Sequence, residues 1–93
     1  TTLMSTKQTE FLGSLLQILE KQLVVVTDIY LPGSPKEIDI KVASDSWRYK
    51  LNIDEKPSGQ AGTLIAAQAT LKQNGNTPTE YVDLRTSEKV FWK

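Results

Sequence analysis

Cysteine is absent from the 93 residues, so the chain has no disulfide framework, no thiol nucleophile and no thiolate metal site. A chain without cysteine suits reducing and oxidising surroundings alike. Histidine is absent as well, which removes imidazole metal ligands, histidine-based catalytic triads and the side chain that ordinarily titrates near neutral pH. Neither sign of charge is in excess: 11 Lys and Arg face 11 Asp and Glu. A domain whose task is to neutralise phosphates carries a basic surplus. The longest apolar run, Leu23-Val24-Val25-Val26, is far too short to cross a bilayer, and no basic-then-apolar leader precedes it. The opening Thr1-Thr2-Leu3 lacks an initiator methionine, as expected of a processed or excised piece. What is present is ordinary globular composition, 39% hydrophobic and 24% charged, in a length that suits one small domain with a modest core.

The hydrophobic pattern predicts the order α-β-β-β-α-β-β. Ser5 and Gln8 have capping-box spacing ahead of Leu12, Leu15, Leu16, Leu19 and Leu23, which predicts an amphipathic helix from Ser5 to about Gln22. Val24 to Leu31 is rich in β-branched residues and ends at the turn signal Pro32-Gly33-Ser34-Pro35. Glu37 to Ala43 alternates, with Ile38, Ile40 and Val42 inward and Glu37, Asp39 and Lys41 outward. After a turn at Ser44-Asp45, Trp47, Tyr49, Leu51 and Ile53 alternate with Arg48, Lys50 and Asn52. Short links make these three an antiparallel meander with one wet face. Ser58 is placed to cap a second helix bearing Leu64, Ala67 and Leu71, with Gly75 as terminator. A last hairpin joins Glu80–Arg85 to Lys89–Trp92 through Thr86-Ser87-Glu88. The expected fold class is α+β, a largely antiparallel sheet with helices on one face, in a single domain over 1–93. If the strand after the second helix lies beside the third and parallel to it, a right-handed crossover is expected.

Catalytic chemistry finds little to work with. Asp54 and Glu55 are adjacent carboxylates, but neighbours along a strand point to opposite faces. Ser87 and Lys89 flank a turn, where an exposed, protonated lysine makes a poor base. Asp28, Asp39 and Asp45 are scattered, with no loop resembling a calcium-binding twelve-mer. No glycine-rich loop precedes a helix. The expectation is therefore no catalytic residue, no metal and no cofactor. The order α-β-β-β-α is similar to that of double-stranded-RNA-binding domains, yet the start of the second helix, Ser58-Gly59-Gln60-Ala61-Gly62, carries no charge to grip phosphates. A small RNA-binding module would instead use the open sheet face, with Trp47, Tyr49 or Tyr81 as stacking platforms.

The terminal hairpin holds the most information. Tyr81, Asp83 and Arg85 project to one face and Val82 and Leu84 to the other, so Asp83 and Arg85 can pair along the strand. The apolar last strand, Lys89-Val90-Phe91-Trp92, belongs at or near a sheet edge. Two readings stay open there. It is a template for strand addition, or an edge guarded by Lys89 and Lys93 with Phe91 or Trp92 tucked into the core.

The stretch Glu80-Tyr81-Val82-Asp83-Leu84-Arg85, followed by a tight turn and Lys89-Val90-Phe91-Trp92-Lys93, resembles the C-terminal hairpin of the bacterial cell-division family FtsQ/DivIB. In that family a Tyr-[Ile/Val]-Asp-Leu-Arg strand precedes a short aromatic strand. The motif match, carried by Tyr81, Asp83, Leu84 and Arg85, lies within Tyr81 to Trp92, and a looser topological match runs from Phe11 to Lys93. The resemblance implies the C-terminal part of a β domain from a single-pass membrane protein, held on the extracytoplasmic side behind a POTRA domain that this chain lacks. It implies a non-enzymatic role in septum formation, binding the FtsB/DivIC–FtsL pair. It also implies a partner-binding surface at Arg85, Thr86 and Ser87 in the turn and at Val90, Phe91 and Trp92 on the last strand. The chain departs from the family pattern at Thr86, where some members have an aromatic, and at Asn52-Ile53-Asp54, where a glycine is frequent. Its second helix is also alanine-rich.

Overall fold

The computed structural model describes residues 4–86 and 89–93. The chain runs α1 (Thr6–Lys21), β1 (Val26–Tyr30), β2 (Glu37–Val42), β3 (Arg48–Asn52), α2 (Pro57–Gln73), β4 (Tyr81–Asp83) and β5 (Phe91–Trp92). This is the predicted order. One sheet has the strand order β1-β2-β3-β4-β5. The first three strands form an antiparallel meander, β4 lies parallel to β3, and β5 returns antiparallel to β4. The α+β class and the mostly antiparallel sheet therefore hold, with one parallel pairing made possible by the crossover through α2.

Local chemistry sets the helix boundaries. At the start of α1, Gln8 N–H donates to Ser5 Oγ at 3.1 Å and Ser5 N–H donates to Gln8 Oε1 at 2.9 Å, a reciprocal capping box. At its end Leu23 adopts φ 61°. Leu23 N–H then donates to Glu20 O at 3.0 Å and Val24 N–H to Leu19 O at 2.9 Å, the paired closure usually built around a glycine. That closure engages Val24, so β1 begins at Val26 rather than at Val24 as its β-branched composition suggested. α2 likewise starts one residue before the expected Ser58 cap. Lys56 occupies the cap position without a side-chain hydrogen bond and Pro57 is the first helical residue, a place where the missing N–H costs nothing. Gly75 follows the helix at φ 70°.

The core lies between the helices and one sheet face. Phe11, Leu12, Leu15 and Leu19 from α1 and Ala61, Leu64, Ala67 and Leu71 from α2 meet Ile38, Ile40, Val42, Tyr49, Leu51, Val82 and Leu84 from the sheet. Truncating one of these leucines to alanine costs about 2–5 kcal/mol. Trp47 and Tyr49 belong to this core, at 7% and 0% exposure, with their rings edge-to-face at 6.4 Å. They do not serve as stacking platforms on the open face. The other face carries the outward residues of β2, but two of them are not solvated as expected: Glu37 and Asp39 are 6% and 2% exposed. Long cationic side chains on β3 and beyond β4 reach over them.

Candidate functional site

β5 closes the sheet on one side and pairs with β4, Val82 opposite Trp92 and Asp83 opposite Phe91. Among the described residues its outer edge has no strand partner. Since residues facing each other in a ladder share a face, Phe91 projects with Asp83 onto the open face, while Trp92 projects with Val82 toward the helices. Val90, Phe91 and Trp92 remain 44%, 53% and 45% exposed. Neither aromatic is tucked into the core, so the guarded-edge reading fails at its aromatic part. On the helix side Val90 and Trp92 line a groove of about 180 Å³ with Ala67, Thr70, Leu71, Asn74 and Asn76 near the end of α2. A strand laid along β5 would thus meet Phe91 on one face and this groove on the other.

The hairpin is tied down at both ends. Lys93 O accepts from the amides of Thr79, Glu80 and Tyr81 at 2.9, 2.6 and 3.2 Å, and Lys93 N–H donates to Tyr81 O at 2.9 Å. At the other end Gln60 Nε2, from α2, donates to Leu84 O at 3.0 Å, and Asn52 Nδ2 donates to Arg85 O at 3.3 Å. Of the residues expected to meet a partner, Arg85 and Thr86 are exposed beyond the end of β4, and Val90, Phe91 and Trp92 lie together along the edge. Ser87 lies outside the described residues. Of the motif residues, Leu84 is fully buried in the core and Tyr81 and Asp83 are partly covered on the open face.

Arg85 is the centre of a charge cluster on the open face. Its guanidinium forks onto Asp83, Nε to Oδ1 at 2.9 Å and Nη2 to Oδ2 at 2.6 Å, and its Nη1 donates to Glu37 Oε1 at 2.8 Å. The Arg85 hydrogen bonds hold the Asp83 carboxyl below its usual range, and in return Asp83 and Glu37 push the guanidinium further up. Burial works to raise the Glu37 carboxyl, but its hydrogen bond with Asp39 and the charges of Arg85 and Lys50 outweigh that and lower it. Asp39 goes the other way: burial, then the hydrogen bond and charge of Glu37, push it up to about 7. Arg48 at 4.0 Å from Asp39 and Lys50 at 3.7 Å from Glu37 complete the cluster. Arg48 also lies 3.5 Å above the Tyr30 ring and Lys50 lies 5.0 Å from the Tyr81 ring, cation–π contacts that occupy those two rings.

Sequence reasoning found the Asp83–Arg85 pair and missed Glu37, Asn52 and Gln60. Glu37 and Arg85 are 48 positions apart, and nothing local links them. Asp54 is exposed and paired with Lys7 and Lys36 rather than joined with Glu55 in a site. Among the described residues no group of three or more acidic side chains is placed to hold a metal ion, and no helix is long and apolar enough to cross a membrane.

A second apolar groove, of about 480 Å³, lies at the opposite edge of the sheet between α1 and β1, lined by Leu16, Glu20 and Leu23 to Val26. In comparison with known proteins, the chain matches no family model, no curated protein and no solved structure.

Proposed function

We propose that this chain is a non-enzymatic interaction module that binds a protein partner by strand addition along β5, as the C-terminal part of an FtsQ/DivIB-type β domain in the bacterial divisome. The observation that carries the reading is the β5 edge. Among the described residues no strand lies on its outer side, the apolar side chains of Val90, Phe91 and Trp92 are each about half exposed, and the chain leaving β4 is held by hydrogen bonds from Asn52 and Gln60. Main-chain hydrogen bonds along that edge give affinity, and Phe91 and Trp92 act as aromatic anchors. The Tyr81–Trp92 motif names the partner class: the FtsB/DivIC–FtsL pair, met on the extracytoplasmic side of the cell membrane by a protein anchored through a single span elsewhere in its chain.

The test is a titration of the isotope-labelled domain with a synthetic peptide from the FtsB/DivIC protein of the same organism, read as backbone amide shifts. Shifts concentrated on Arg85, Thr86 and Val90 to Lys93 are expected. A folded domain that saturates with peptide while those amides stay still, or that does not bind it at all, refutes the docking edge.

A further inference from the structure

Arg85 stands where the chain leaves β4 for β5, and its position is overdetermined. Asp83 grips two of its guanidinium nitrogens, Glu37 a third, and its own backbone carbonyl accepts from Asn52. Glu37 lies at the start of β2, and β3 separates β2 from β4, so the contact between Glu37 and Arg85 passes over the intervening strand. Lys50 on that strand approaches the other Glu37 oxygen at 3.7 Å. With 6% of its surface exposed, Glu37 offers almost nothing for a docked strand to touch. A buried carboxylate has no solvent to fall back on, so its charge-assisted hydrogen bond to a guanidinium holds geometry more firmly than an exposed pair does.

We infer that Glu37 is a positioning residue for the β5 edge: from beyond β3 it fixes Arg85, and through Arg85 the angle at which β4 hands the chain to β5. This rests on the reading of β5 as the docking edge. It assigns Arg85 a role inside the domain, whereas the hairpin motif alone places it among the partner contacts. The alternative is that Glu37 only stabilises the sheet. Lys50→Met separates the two, because it removes the second cation at Glu37 and leaves the Arg85 contact in place.

The experiment measures amide hydrogen exchange at Val90 to Lys93 in the free protein, then binding of the same peptide, for wild type, Glu37→Gln, Lys50→Met, Arg85→Lys and the Glu37→Gln/Arg85→Lys pair. In Glu37→Gln, exchange at Phe91 and Lys93, whose amides turn toward β4, should quicken and peptide affinity should fall about tenfold, the size expected for losing one charge-assisted hydrogen bond. Lys50→Met should leave both unchanged, and Glu37→Gln should add nothing once Arg85 is lysine. A Glu37→Gln protein with a lower unfolding midpoint but wild-type exchange and affinity at β5 overturns the inference. Should Glu37→Gln not fold, Arg85→Lys alone must quicken the same amides, and unchanged exchange there overturns it equally. Failure of the wild type to bind the peptide counts against the docking edge itself. The exchange arm, read without peptide, still reports whether Glu37 governs β5.

Discussion

Phe91 is 53% exposed, which makes Phe91→Lys a sharp probe of the β5 edge. A phenylalanine side chain presents roughly 200 Å² when free, so about 100 Å² is available for a docked strand to cover. At about 25 cal/mol per Å² that burial contributes about 2.5 kcal/mol to binding, close to a hundredfold in affinity. The half already covered by the domain sets the cost to folding. Removing it would cost a similar amount at most, and the alkyl stem of lysine restores part, leaving about 1–2 kcal/mol. A chain of this length has a stability of about 5–14 kcal/mol, so the variant stays folded. The assay pairs urea unfolding with the peptide titration. A cooperative transition together with an affinity loss near a hundredfold is expected. An affinity within about twofold of wild type in the folded variant would mean that no partner covers the open-face side of β5, and the anchoring argument would be wrong.

Asp39 should titrate near neutrality, its carboxyl lifted from 3.8 to about 7 by burial and by Glu37. Between those values the folded protein binds more protons than the unfolded chain, so stability falls as pH rises through that window. Asp39→Asn should flatten that fall. Since the chain has no histidine, carboxyl carbon shifts read the midpoint cleanly, and a midpoint below about 5 would refute the shift. Glu37, held below its ordinary 4.5, acts in the opposite sense: its contribution is present above that value and is lost as pH falls through the lowered one. Tyr49 donates to Asp45 at 2.6 Å within the core, and Tyr49→Phe should cost about 1–2 kcal/mol by urea unfolding, because Asp45 Oδ2 is left with Gln68 alone. Leu23 is 90% exposed at φ 61°, so Leu23→Gly should raise stability by about 0.5–1 kcal/mol, the relief of left-handed strain exceeding the added freedom of the unfolded chain. A lower unfolding midpoint in that variant would show that Leu23 packs against something its exposure conceals.

The elements readable from sequence are those whose signals lie within a few residues. The Ser5–Gln8 box announces α1, the Ile38-Ile40-Val42 and Tyr49-Leu51-Ile53 alternations announce β2 and β3, and the alternation that sets Val82 and Leu84 on one face is the one the structure buries. What escaped was set at long range. No local pattern tells that β4 joins β3 in parallel, because that choice belongs to the packing of α2. No alternation tells that Glu37 and Asp39 are buried on the face facing away from the helices, since Arg85, Lys50 and Arg48 reach them from other strands. The candidate edge was half readable: its apolar, terminal strand was plain, but whether Phe91 and Trp92 stood out or folded in depended on how much of β4 and α2 lay beneath them.

The parallel pairing of β3 with β4 has a consequence for the order of assembly. The meander of β1, β2 and β3 closes through short turns, whereas β4 reaches its place only after α2 has crossed the sheet, and β5 has no strand to pair with until β4 arrives. Contacts that close long loops form late. A chain whose second helix has come undone therefore has no β4 in place against which β5 can form. On the proposal that β5 is the docking strand, attachment there would also test the maturity of α2 and β4, since both must be in place before β5 can pair.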